Sequence, residues 1–257
     1  SRTLSRSRAS VLGRAPRPGL LAAGASVVSR LGRRVRPARP PPQLALSTWH
    51  RDARAHDMLE RVCAAARRGV EVRVLRDPIG SFGLRKSHFG ALQAAGGRFA
   101  WFRTAHPLRN QWTFTLRNHR KLQIIDGTHC FIGGMNMGRE YAGEDPAVGP
   151  WRDVQIELTG GATRKFQMIF ADDWFFATQE KLLARTYYPP TKGGQTLLVQ
   201  PMTDGPDGPD DPIEASLVNL LNTAQERVWL TAGYFGPHEP LLPALQLPAR
   251  RGVDVRL

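Results

Sequence analysis

The chain repeats itself, and the repeat limits what it can fold into. Ala66-Arg67-Arg68-Gly69-Val70-Glu71-Val72-Arg73-Val74 returns as Ala249-Arg250-Arg251-Gly252-Val253-Asp254-Val255-Arg256-Leu257, an offset of 183 positions. Self-similarity of this kind marks a duplicated supersecondary unit. The same offset lays Leu44 to Thr48 over Arg227 to Thr231, each an apolar-rich strand candidate followed by a helical pattern, then Arg-Gly, then a second strand. Strand, helix, glycine at the helix end and strand is a βαβ unit with a parallel pair. The predicted fold class is α/β, with one complete repeat and the opening of another.

Charge is distributed unevenly around that framework. Of 36 Lys and Arg, ten Arg lie in the first 50 residues, which hold none of the 22 Asp and Glu, so residues 51–257 keep 26 basic against 22 acidic groups. The formal charge of +14 therefore shrinks to +4 over the body, which argues against nucleic acid as the partner. The N-terminal segment also carries Pro40-Pro41-Pro42 and many Ser, Ala and Gly, a composition poor in core-forming residues. Residues 1–43 are expected to be a disordered Arg/Pro-rich tail with no evident amphipathic helix. Its apolar run, Leu20 to Val28, is too short to span a bilayer, which takes about 20 residues. Residues 44–187 are the first domain, the Pro/Gly-rich stretch 188–212 a linker with one short strand at Leu197 to Gln200, and 213–257 the truncated start of a second domain. The two cysteines, Cys63 and Cys130, sit in apolar stretches and read as buried thiols.

The chemistry gathers in one hairpin. Leu122 to Ile125 is a buried-strand run, Asp126-Gly127 a tight-turn signal, and Cys130 to Ile132 the returning strand. Two apart on a strand, His119 and Lys121 share a face. Gly133-Gly134 lets the backbone bend closely, so Asn136 can reach the imidazole. A neutral imidazole is a competent nucleophile for phosphorus near pH 7, while a lysine and an amide stabilise charge on the non-bridging oxygens. Asp126 either fixes the imidazole tautomer or forms the turn.

His119-Arg120-Lys121, four residues, Asp126, six residues, then Gly133-Gly134-Met135-Asn136 resembles the His-x-Lys-x4-Asp signature of the phospholipase D superfamily with its trailing Gly-Gly/Ser-x-Asn. Trp151-Arg152-Asp153, Asp173-Trp174, Ala177-Thr178-Gln179-Glu180, Asp77 with Gly80-Ser81, and Thr231 to Phe235 are similar to bacterial cardiolipin synthases, and the likeness covers residues 44–257. It implies a phospholipase D-like mixed sheet flanked by helices. It also implies His119 as nucleophile with Lys121, Asp126 and Asn136 in the catalytic set, Gly133, Gly134 and Glu140 binding substrate or supporting that set, and no metal or cofactor. In such enzymes two motifs meet at a pseudo-twofold interface, and the second histidine protonates the leaving alcohol. That histidine is expected near position 302, so the other half comes from a longer chain or a dimer partner.

The function implied is joining two phosphatidylglycerol molecules through a phosphohistidine, at the cytoplasmic face of a bacterial inner membrane, with anionic phospholipid and the membrane surface as partners. The alternatives are a phospholipase D-type phosphodiesterase or nuclease, and a catalytically incomplete lipid-binding half. His129 is a turn or surface residue, and His50, His56, His88, His106 and His238 lack ligand spacing. Trp101, Trp112, Trp151, Trp174, Phe175 and Phe176 read as core before acyl contacts, and Arg85, Lys86, Arg103, Arg109 and Arg117 as a solvated face before a headgroup site. A partial second domain should expose apolar surface and associate.

Overall fold

The computed structural model describes residues 13–15, 19–21, 24–35, 43–47, 52–77, 86–102, 118–190, 197–204, 211–237 and 239–257. Thr48, His50, Gly80, Ser81, Arg85, Arg103, His106, Arg109, Trp112, Arg117, His238 and the Pro40 to Pro42 run lie outside these residues. The chain divides into two compact units, Ser1–Pro201 and Met202–Leu257.

The first unit is built on a seven-stranded mixed sheet of β2 (Gly19–Leu21), β3 (Gln43–Ser47), β4 (Glu71–Arg76), β5 (Arg98–Trp101), β6 (Lys121–Ile125), β7 (His129–Gly133) and β8 (Gln155–Thr159). They lie in the order β2-β8-β7-β6-β3-β4-β5. The predicted βαβ unit is there: β3 and β4 pair in parallel, and α2 (Ala53–Arg67) joins them. Asp52 caps α2 by accepting from the Ala55 N–H at 2.9 Å. β6 then runs antiparallel to β3 and opens the meander β6-β7-β8. One face is covered by α1 (Gly24–Val35), α2 and α3 (Gly90–Ala94), whose Leu31, Met58, Val62 and Leu92 close over Val72, Val74, Ile125 and Phe131. The other face takes α4 (Thr163–Thr178), whose Phe166, Phe170 and Trp174 pack on Leu122, Ile124, Cys130 and Leu158. Cys63 and Cys130 are buried free thiols, and burial pushes the Cys130 thiol well above its ordinary range.

Within residues 1–43, expected as a disordered tail, the described residues form two strands and a helix. β2 pairs antiparallel with β8, with Leu20 opposite Ile156, and β1 (Gly13–Ala15) pairs with β9 (Leu197–Val199) inside the predicted linker. Helix α1 is amphipathic after all. Val27, Leu31 and Val35, four residues apart on one stripe, are at most 2% exposed, while Arg30 and Arg34 bond the Glu157 carboxylate at 2.8 and 3.4 Å. Composition hid this helix because its stripe is one residue wide and its guanidinium partner lies on β8. The first unit therefore starts before residue 44, and Gln43 already belongs to β3.

The second unit holds α5 (Pro212–Thr223), β10 (Arg227–Trp229), α6 (Leu241–Arg250) and β11 (Asp254–Arg256), with β10 and β11 parallel. α5 starts at Pro212, the residue assigned to the end of the linker, with Asp211 as its cap. The repeat is reproduced at atomic level where α2 and α6 end. Gly69 and Gly252 both take positive φ, 89° and 84°, and Val70 N–H to Ala65 O matches Val253 N–H to Pro248 O. The strands slip by one residue: Gln43 faces Glu71, whereas Arg227 faces Asp254. In the second unit Leu217, Leu220, Trp229, Tyr234 and Phe235 are exposed.

Docking of α1 is testable. Leu31 is fully buried, so Leu31→Ala should cost about 2–5 kcal/mol in urea denaturation; a change near zero would return the segment to a disordered tail.

Candidate active site

The site is assembled where β6 begins. Asn118 and Arg120 turn toward α4, where the Asn118 amide donates to Asp173 Oδ2 at 2.7 Å and Arg120 Nη1 to Asp173 Oδ1 at 3.0 Å. The Asn118 backbone N–H donates to Asp77 Oδ2 at 2.8 Å, at the C-terminal end of β4. Because successive side chains along extended backbone alternate faces, this clamp sends His119 and Lys121 to the opposite side. His119 precedes β6 rather than lying on it, a correction to the expected strand placement; its side chain is exposed, while Lys121 is 6% exposed. The Lys121 ammonium donates to His119 Nε2 at 2.8 Å and to the His119 carbonyl at 3.0 Å. With Nε2 accepting, a neutral imidazole keeps its proton on Nδ1.

Burial lowers the Lys121 pKa to about 8, against the upward pull of the Asp153 and Asp77 carboxylates. At pH 7 the ammonium is therefore mostly charged, yet close to titration. Burial also raises the Asp173 carboxyl, with Arg120 and Asn118 pulling it back down.

The two glycines admit close neighbours. A Cβ on Gly133 would strike the Val154 carbonyl and lie 2.5 Å from Gln155 Oε1, and one on Gly134 would collide with the Asp153 carboxylate. Asp153 is held there by the Val154 N–H at 2.6 Å. Asn136 donates to the Tyr141 hydroxyl at 2.7 Å, and its Oδ1 has no partner among the described residues. Tyr141 in turn packs edge-on against Trp151, ring centroids 5.2 Å apart. Glu140 folds back over Gly138, and burial together with the negative charge of Glu140 raises the Tyr141 phenol pKa.

Asp126 is not part of this cluster. It forms the turn at the far end of β6, with φ of 56° followed by Gly127 at 63°, and Thr128 N–H returns to Ile125 O at 3.1 Å. At about 3.3 Å per residue, the five residues of β6 alone put it more than ~15 Å from the imidazole, so the tautomer-fixing reading of Asp126 is withdrawn. Its carboxyl pKa is raised by burial. His129 begins β7, half-buried, and burial lowers its pKa. Trp101 and Trp174 are partly and fully buried, and Trp151 is exposed. Asp153 and Asp173 went unassigned as site residues because only tertiary pairing brings them to positions 118–121; their signal in the sequence was their place in the synthase-like words.

The family described as "Cardiolipin synthase, PLD-like domain" matches residues 44–145, which contain the whole hairpin and the loop after it. Residues 44–145 thus match a phospholipase D-like domain. The chain is 38% identical over 206 residues to cardiolipin synthase A of Pseudomonas aeruginosa, covering 80% of this chain and 42% of that one. It is 37% identical over 213 residues to cardiolipin synthase of Halalkalibacterium halodurans, covering 80% and 41%. It thus spans about two-fifths of these curated relatives. Among solved structures, phosphatidylserine synthase of Haemophilus influenzae superposes with a TM-score of 0.64 at 12% identity, over 95% of this chain and 62% of the other, which establishes the shared fold. No helix among the described residues is long and apolar enough to cross a membrane.

Asp173→Ala should strand a buried amide and a guanidinium together, costing about 2–4 kcal/mol in denaturant unfolding. Because the clamp also orients His119, activity of the folded fraction should fall with it; unchanged stability would show that Asn118 and Arg120 hold position without Asp173. Gly134→Ala should lower turnover by displacing Asp153, measured at a temperature where the variant remains folded.

Proposed function

We propose that this chain carries the first catalytic half of a phosphatidyltransferase of cardiolipin synthase type, acting on phosphatidylglycerol at a membrane surface. The observation that carries the reading is the Lys121 ammonium 2.8 Å from His119 Nε2, inside the residues matched by the cardiolipin synthase family. Before substrate arrives, the ammonium occupies the imidazole lone pair. An incoming phosphodiester oxygen takes that hydrogen bond, which places a positive charge on the non-bridging oxygen and releases Nε2 to attack phosphorus. The P–N bond forms as the P–O bond to the glycerol headgroup breaks, and the leaving oxygen takes a proton from a general acid. A hydroxyl of a second phosphatidylglycerol then attacks phosphorus, its proton returns to that general acid, and the P–N bond breaks.

By the superfamily likeness the general acid is the histidine of a second motif, supplied by a longer chain or by a second copy. Removing a general acid costs about 10²–10⁴ in rate, so completion of the site is part of the reading. Asn136 Oδ1, unpartnered among the described residues, is the acceptor this reading assigns to a hydroxyl of the substrate. Water in place of the second lipid would give phosphatidic acid by the same first step.

With the second motif's histidine supplied by the longer chain or a second copy, incubation with phosphatidylglycerol vesicles should yield cardiolipin and glycerol, and His119→Ala should reduce turnover by about 10⁴-fold or more. Cleavage of DNA with no lipid turnover would overturn the assignment. The Lys121 pKa of about 8 sets the pH dependence: the ammonium is the useful form, so kcat/KM should be lost as pH rises through about 8, rather than near the ordinary lysine value of about 10.4.

A further inference from the structure

The loop between Gly138 and Val154 ends in an apolar tip that the catalytic cluster does not use. Pro146, Ala147, Val148, Pro150 and Trp151 are all exposed, with Val148 at 47% and Trp151 at 40%. Such a tip is usually a mobile loop that happens to be apolar, but this one is pinned. Asp145 accepts from the Ala147 N–H through its side chain at 3.0 Å, and from the Val148 and Gly149 N–H groups through its carbonyl at 3.1 and 2.8 Å. Trp151 is braced by its edge-on contact with Tyr141, which is bonded to Asn136. The apolar side chains are thus held outward at no further cost in ordering.

The charges around the tip have a definite arrangement. At its base the acids are already paired, Glu144 with Arg54 and Asp145 with Arg139. Between Asp145 and Asp153 the only charged side chain is Arg152, exposed and without an ion pair among the described residues. The next residue, Asp153, is the carboxylate whose field reaches Lys121. A tip of valine, prolines and tryptophan ending in one unpaired guanidinium, one residue from the catalytic cluster, matches the boundary between acyl chains and anionic headgroups. There tryptophan lies at the interface, arginine meets phosphate, and a carboxylate would be repelled.

We infer that the 146–152 tip inserts into the surface of an anionic phospholipid bilayer and sets His119 at headgroup depth. This rests on the phosphatidylglycerol reading above and adds the surface through which that substrate is reached. Arg152 engages a phosphate, Val148 and Trp151 enter the acyl boundary, and the bilayer plane lies along the mouth of the site.

Cys63 and Cys130 are both fully buried, so Val148→Cys offers a single reactive thiol for an environment-sensitive fluorophore on the 257-residue chain. With vesicles of equal phosphatidylglycerol and phosphatidylcholine the emission should shift to the blue, and brominated acyl chains should quench it. Pure phosphatidylcholine vesicles should give a much smaller change. Val148→Asp should weaken vesicle partitioning by about fivefold while leaving turnover of a monomeric short-chain phosphatidylglycerol unchanged, and Arg152→Glu should weaken partitioning only where the vesicles are anionic. A label that stays in water while the protein turns over phosphatidylglycerol in the same vesicles would overturn the inference. So would a label already shielded before vesicles are added, since the tip would then be covered by protein. Insertion without lipid turnover, once the second motif's histidine is supplied by the longer chain or a second copy, would support the docking surface and overturn the phosphatidylglycerol reading instead.

Discussion

A single carboxylate decides which way the motif faces. Asp173, on the helix beneath the sheet, binds the side chains of Asn118 and Arg120, and extended backbone leaves no freedom once two alternate residues are fixed. His119 and Lys121 must then emerge on the opposite face, where the charges of Asp153 and Asp77 act on the lysine. The pairing is possible because α4 packs across β6 and β7 through Phe166, Phe170 and Trp174, so the apolar layer on one side of the sheet orients the polar chemistry on the other.

The local parts of this arrangement were legible in the sequence. The hairpin was announced by a buried apolar run and an Asp-Gly pair, both of which act over a few residues, and the βαβ units by a nine-residue word used twice. What failed was whatever depended on distant partners. Helix α1 looks like tail composition until Glu157 is placed beneath Arg30 and Arg34. Asp126 looks catalytic because it sits in the same short motif as His119, yet a strand carries neighbours in sequence far apart in space. The inverse error hid Asp153 and Asp173, which are remote in sequence and adjacent in space. The glycine pair is legible as a bend, but its close approaches are not: Gly133 admits the Val154–Gln155 backbone and Gly134 the Asp153 carboxylate.

The lysine at the centre shows how a fold tunes a group without a dedicated partner. Desolvation alone would neutralise the ammonium, and two carboxylates restore part of the charge, leaving a balance near pH 8. A lysine in water is charged throughout the physiological range and insensitive to its surroundings. One held at this balance responds to the arrival of a phosphate, whose negative charge favours the ammonium and raises the pKa again. Binding of an anionic substrate and retention of the proton are thus the same event.

The edge of the sheet carries a cost in time. Arg30 and Glu157 are 127 positions apart, and the whole of β2 and α1 must find a strand that leaves the ribosome long after they do. Val27, Leu31 and Val35 can meet α2 and the earlier strands first, but the bonds to Glu157 wait for β8, and once β8 forms its outer rim stays open until β2 joins it. Contacts of such sequence separation close late because the loop entropy must be met first. Completing this edge of the sheet is therefore a late step of folding.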